Sequence, residues 1–460
     1  MCWTSVEKLT NRGGHAVEAR DATSQVAWPD LPLHLFTPPG GGYLRAMRVR
    51  GVVTALVAGL ALAVGACGDE SGSSGTVSLN FWAYNEPGGT FRAAAERCSA
   101  ESDGRYRIEF NALGNDPNTQ RQALVRRLAA GDSSIDIMSM DVIWTAEFAE
   151  AGWILPFPED VAAQIKEGTL KGPLDTATYD GKLYGAPANS NTQLLWYRKD
   201  LVQTPPKTWS EMIDMAVKMP KSGRIEIQGD AYEGYTVWFN SLIQSAGGEI
   251  LESPTKVAMP EGPTKAALGV IEKLATSKAA DPSLPAQRED QNRLAFETGD
   301  AAFQVNYPFI YPSARDNKAP IFKDIAWAPY PAVDADKPSR APIGGFNWGV
   351  GGNTKHPAEA FAAAACMRNE ANQRDFALKG GLPPTLEKLY DDPSFKKEYP
   401  FGDAIRTSLE SAAVRPRTPV YSDVSQAIFT TLHPPSGVTP EQWKTLRDKV
   451  QKALEGEALL

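Results

Sequence analysis

Residues 77–98 read VSLNFWAYNEPGGTFRAAAERC. Val77, Leu79 and Phe81 recur at every second position, the spacing of a strand with one buried face. A polar Asn-Glu-Pro-Gly-Gly loop follows. Then Phe91 to Cys98 is alanine-rich and helical, with Thr90 placed as its N-cap. The same rhythm repeats downstream. Arg105–Leu113 reads as a strand and Arg121–Ala130 as a helix. Ile135–Met140 reads as a short apolar strand, and Thr145–Ala151 as a helix closed by Gly152. Alternating strands and helices predict an open, mainly parallel sheet covered by helices.

A second α/β stretch runs from Gln193 to about Val305. It contains the strand Leu194-Leu195-Trp196-Tyr197-Arg198, a helix after Trp209, and helices near Tyr235–Ser245 and Lys265–Thr276. After Ala358 the pattern is mostly helical. The expected architecture is α/β with two lobes, joined by more than one crossing of the chain. One lobe is expected to hold 77–188 and 306–343, the other 189–305 and 344–460.

The 460 residues allow two to three domains by length. With 42% hydrophobic and 22% charged residues, the composition is that of a globular protein. A formal charge of −8 without a basic stripe argues against a nucleic-acid partner. Four histidines, at 15, 34, 356 and 433, are too scattered to build a histidine metal site. No metal or cofactor is expected.

Upstream of the fold, GVVTALVAGLALAVGA (51–66) is an uncharged apolar run preceded by Arg45, Arg48 and Arg50. At sixteen residues it is shorter than the roughly 20 a membrane-spanning helix needs, and its basic stub fits a secretory signal. It ends in Val64-Gly65-Ala66-Cys67, similar to a bacterial lipobox, whose cysteine is lipidated and becomes the new N-terminus. Met47 then starts the signal (47–66), and 1–46 is read as an upstream extension without a fold. Residues 67–76 form a lipidated cysteine and a Gly/Ser-rich tether. The mature chain keeps Cys98 and Cys366 besides Cys67. In an exported protein such a pair most economically forms a disulfide, a free buried pair being the alternative.

In open α/β sheets ligands bind beyond the carboxyl ends of strands. After the first strand, Asn85 and Glu86 could grip hydroxyls, although Asn-Pro-Gly content also fits a tight turn. Asp141, followed by Trp144, suits sugar recognition: carboxylate oxygens accept hydroxyl hydrogen bonds and an aromatic face covers ring C–H groups. Asp141 equally suits a helix cap. Asn191 lies where the first α/β unit passes to the second. Tyr307 and Phe309 lie where the chain is expected to cross back. At Gly345 and Phe346, glycine allows close backbone approach beside an aromatic wall.

Two runs resemble the extracellular sugar-binding lipoproteins of ABC importers. They are Gly181-Lys182-Leu183-Tyr184-Gly185-Ala186-Pro187 with Leu195–Leu201, and Phe296-Glu297-Thr298-Gly299-Asp300 with Asn306-Tyr307-Pro308. Further stretches, Asp141–Trp153, Asn191–Arg198, Gly380-Gly381-Leu382-Pro383 and Ala413-Val414-Arg415-Pro416, resemble the trehalose-binding branch of mycobacteria. That resemblance implies a two-lobe periplasmic-binding-protein-like (type II) fold with the ligand cleft between the lobes. It implies that Asp141, Asn191, Glu289 (or its neighbour Asp290) and Arg415 hydrogen-bond a disaccharide, and that Tyr307 with Phe309 packs on a sugar ring. It also supports pairing of Cys98 with Cys366. The expected protein is a monomeric, lipid-anchored receptor outside the cell membrane, serving a permease and its ATPase, without catalysis. The rival expectations are an exported glycoside hydrolase using a carboxylate pair such as Asp141 and Glu289, or an importer receptor for another di- or oligosaccharide such as maltose.

Overall fold

A computed structural model describes residues 75–457. The predicted signal, Cys67 and most of the tether lie outside them. Two sheets organise the described chain. The first is five-stranded, in the order Tyr106–Leu113, Val77–Tyr84, Ile137–Asp141, Gly344–Val350, Gly185–Asn191. The second is four-stranded, in the order Ile325–Ala328, Leu194–Arg198, Phe303–Asn306, Ile225–Glu226. No helix among the described residues is long and apolar enough to cross a membrane.

The period-two reading of Val77–Phe81 holds. Leu79, Phe81 and Ala83 are fully buried in the first lobe, and the strand pairs in parallel with both neighbours. Phe81 and Phe91 meet Trp348 edge-on, at 5.1 Å and 4.8 Å between ring centroids. Trp348 belongs to Gly344–Val350, which runs antiparallel between Ile137–Asp141 and Gly185–Asn191. The second lobe is built around Trp209, Tyr235 and Trp238, packed with the helices Glu233–Ser245 and Glu261–Ala275.

The lobe boundaries differ from expectation. Gly185–Asn191 completes the first sheet, so the first crossing comes at 192–193 rather than before Asn189. The chain does not return at Asn306. Ile325–Ala328 pairs with Leu194–Arg198, which keeps 306–328 in the second lobe. Gly344–Val350, assigned by sequence to the second lobe, is a central strand of the first. The physical reason is pairing: Phe346–Val350 finds partners on Ile137–Asp141 and Gly344–Gly349 on Gly185–Asn191, so every residue of the strand is paired on at least one side there.

Beyond Val350 the secondary structure is helical, and it is shared out. Pro357–Met367 and Glu370–Gly380 cover the first lobe, while Tyr421–Leu432 and Trp443–Leu454 return to the second. Cys98 and Cys366 form a disulfide with Cα atoms 5.9 Å apart, tying the helix Thr90–Ala100 to Pro357–Met367. Both helices lie in the first lobe, so the bridge leaves the cleft unspanned.

Candidate ligand-binding site

A cavity of about 400 Å³ opens between the lobes. Its first wall is set by strand register. Ile137–Asp141 ends at Asp141, directly opposite Phe346, and Gly344 stands opposite Asn191. One edge of the sheet thus presents a carboxylate, an amide and an aromatic ring together. Gly345 makes this possible. At its φ of 120° a side chain is strained, and a Cβ there would come within 2.2 Å of the Asn189 carbonyl oxygen. The Phe346 ring stacks on Tyr84, 5.7 Å between centroids with planes 20° apart. Burial pushes the Tyr84 phenol further above its ordinary value, with the nearby carboxylates of Asp290, Glu289 and Glu86 acting in the same direction.

The loop after the first strand does something other than expected. Glu86 lines the cavity, but its carboxylate turns back to the helix Thr90–Ala100. It accepts the Thr90 hydroxyl at 2.8 Å and the N–H groups of Gly88, Thr90 and Phe91. The capping role predicted for Thr90 therefore belongs to Glu86, and Gly89 is the N-cap residue. A carboxylate with four donors has little capacity left for a ligand. Asn85 is exposed and does not line the cavity. The remaining predicted ligand residues, Asp141, Asn191, Glu289, Tyr307, Phe309, Gly345, Phe346 and Arg415, all line it.

The second wall comes from the starts of two helices, Glu233–Ser245 and Glu289–Thr298, and from the end of Phe303–Asn306. Asn306 fixes two of its members. Its amide donates to the Glu289 carbonyl at 3.0 Å, and its Oδ1 accepts the Tyr307 N–H at 2.8 Å. Enclosure pushes the Glu289 carboxyl and the Tyr307 phenol up. Phe309 is set by a close approach. Gly381 has φ 65°, and a Cβ there would lie 2.4 Å from the Phe309 Cα.

Arg415 sits between the walls with its side chain only 4% exposed. One nitrogen donates to Asp141 of the first lobe at 2.6 Å, another to Glu233 of the second at 2.7 Å. Glu233 also accepts the hydroxyls of Tyr421, at 2.7 Å, and Ser425, at 2.5 Å. Burial raises the Glu233 carboxyl, with Arg415 opposing the shift. Asp141 accepts the Ile143 N–H at 3.2 Å as well, so it serves both the turn and the arginine.

A second arginine bridges the lobes. Arg288 donates to Asp116 of the first lobe at 2.7 Å and to Asp230 of the second at 2.6 Å, with its guanidinium 4.6 Å from the centre of the Tyr232 ring. The sequence reading missed Glu233, Tyr232, Asp116 and Arg288. Asp116-Pro117 is a recognisable helix start, and the helix does begin there. Nothing local marks the other three. Among the described residues one cluster has metal-ligand spacing, Cys98, Glu101 and Cys366, and both sulfurs are committed to the disulfide.

Residues 83–374 match the family of bacterial extracellular solute-binding proteins. The chain belongs to that family. It is a family of binding proteins rather than enzymes. The chain is 27% identical to a probable ABC transporter-binding protein of Deinococcus radiodurans over 328 residues, 67% of this chain and 76% of the relative. It is 25% identical to a maltotriose-binding protein of Pyrococcus abyssi over 328 residues, 68% and 69% of the two chains. In fold it is similar to maltose-bound MalE3 of T. maritima, with TM-score 0.75 and 23% identity over 83% of this chain and 100% of that one. The two-lobe solute-binding fold read from the sequence is thus the observed one.

Proposed function

We propose that this protein captures a disaccharide, trehalose, and delivers it to an ABC permease driven by an ATPase. The observation that carries this reading is the chemistry of the cavity. Its arginines are already paired with carboxylates, and carboxylates outnumber them, so among the described residues the walls leave no free cation for an anionic ligand and offer acceptor oxygens to the hydroxyls of a neutral one. Tyr84, Phe346, Tyr307 and Phe309 supply apolar faces beside them. Asn191 Oδ1 and Arg415 Nε are buried without protein partners, and sugar hydroxyls suit both. Asp141, Asn191, Glu289 and Arg415 hold hydroxyls in this reading, with Tyr307 and Phe309 against a ring.

Binding proceeds without turnover. The lobes close on the sugar about the chain crossings, and the closed form docks on the permease. A lipid on Cys67, followed by the 68–76 tether, holds a monomer at the outer face of the cell membrane. Lobe boundaries in this reading follow the two sheets. The names of the maltotriose- and maltose-binding relatives favour a second ligand, an α-linked glucan such as maltose.

The test is thermal unfolding of residues 68–460 against trehalose, maltose, sucrose and cellobiose, with the sugar recovered afterwards. A ligand at 100 times its Kd adds about 2.7 kcal/mol of stability. A shift with trehalose, recovered intact, supports the proposal. A shift with maltose alone moves the ligand to the second reading. No shift, or glucose in the recovered sample, overturns it in favour of a hydrolase.

A further inference from the structure

The Asp116–Arg288 pair has a place and a construction that sugar binding alone does not require. Both side chains line the cavity, one from each lobe, and they are partly exposed, 27% for Asp116 and 37% for Arg288. They therefore form a piece of cavity wall at the mouth of the cleft, and that piece exists only while the lobes are together. Each half is held ready by its own lobe. Asp116 is the N-cap of Pro117–Ala129: its Oδ1 accepts the Thr119 N–H at 2.8 Å while Oδ2 takes Arg288. Arg288 is held by Asp230 and by the Tyr232 ring, both in the second lobe. Neither side chain has to be reordered when the lobes meet, which lowers the entropic cost of the contact.

We propose that Asp116 and Arg288 are a specificity-determining pair, a cross-cleft latch that ends the sugar cavity at this wall. Resting on the disaccharide reading, it adds a length limit. A ligand short enough to lie behind the latch is enclosed and gains from closure. A longer chain crossing this wall must hold the pair apart, and forfeits that gain. The contact is a partly exposed ion pair, so its contribution is modest and screened by salt. It corresponds to a factor of about 1.5 to 5 in affinity.

The experiment is calorimetric binding of trehalose, maltose, maltotriose and maltotetraose to the wild type, Asp116→Asn, Arg288→Gln and the double variant. Asn caps a helix as well as Asp, so Asp116→Asn removes the charge and keeps the helix start. The expected result is disaccharide affinity about 1.5 to 5 times weaker in each single variant. Tetrasaccharide affinity stays level or rises, and the double variant is no worse than Arg288→Gln. Salt at about 0.5 M, where the screening length is roughly 4 Å, should reproduce the effect in the wild type and not in Asp116→Asn. A disaccharide-to-tetrasaccharide ratio unmoved by either substitution overturns the latch and leaves the function standing. Wild-type preference for maltotetraose overturns the latch and the disaccharide reading together, leaving a receptor for longer sugars. A wild type that binds no sugar overturns both.

Discussion

Two arginines bridge the lobes in the same way, each held by one carboxylate from either side, yet they lie in opposite surroundings. Arg415, with Asp141 and Glu233, is buried at the centre of the site. Arg288, with Asp116 and Asp230, stands at the mouth, where 24% to 37% of each side chain is exposed. Water screens the outer triad and lets it come apart cheaply. The inner triad has no such relief. Each of its charges, once buried, depends on the others, so the inner triad fixes the arrangement of the binding groups while the outer one can open and close.

The sharpest way to break this comparison is to remove the inner arginine. Arg415→Met should cost about 3 to 5 kcal/mol of stability, because Asp141 and Glu233 are left facing each other without a counter-charge. Chemical denaturation measures it, and a loss below about 1 kcal/mol would put the inner triad in the class of surface pairs.

Glu226 supplies a natural control, a fully buried carboxylate with no ion pair among the described residues and Gln287 as its donor. Burial pushes it from 4.5 up to about 7. The native state then holds a proton that the unfolded chain has released, so stability is intact below about pH 4.5 and falls as pH rises through 7. Glu226→Gln should abolish this slope and gain up to about 3 kcal/mol over the wild type at high pH, with no gain in acid. Denaturation at a series of pH values reads it directly.

Glu233→Gln comes next. It keeps a hydrogen-bonding group beside Arg415, Tyr421 and Ser425 but removes the charge, and should cost about 1.5 to 3 kcal/mol. The smallest effect belongs to the outer triad. Asp116→Asn should change unfolding stability by about 0.2 to 1 kcal/mol at low salt and by less at high salt.

What the sequence disclosed depended on distance along the chain. Leu79 and Phe81 announced their strand because alternation is local, and Asp141 announced a site because strand ends are where ligands gather. Asn306-Tyr307-Pro308 looked like a return crossing because polar and aromatic residues cluster there. Its strand instead pairs with Leu194–Arg198, and no local pattern specifies that partner. Glu86 was misread for a related reason. A glutamate before Pro-Gly-Gly reads as free to meet a ligand, and only the coordinates show it curled onto the helix four residues on. Glu233 acquires its role from Arg415, 182 positions later in the chain. The family resemblance supplied Arg415 and Asp141, but not Glu233, the second carboxylate that holds the arginine.

The strand Gly344–Val350 sets the order in which the molecule can be completed. It fills the gap between Ile137–Asp141 and Gly185–Asn191, and it is made after the whole of the second sheet. A chain emerging from its N-terminus therefore has every strand of the second sheet in hand while the first still lacks a member. Until residue 350 arrives, two strands of that sheet offer unpaired edges to any neighbouring chain. The exposure lasts for about 150 residues of synthesis, at roughly 5 to 20 residues per second. A late central strand makes the first lobe the part of this protein most in need of protection while it is being made.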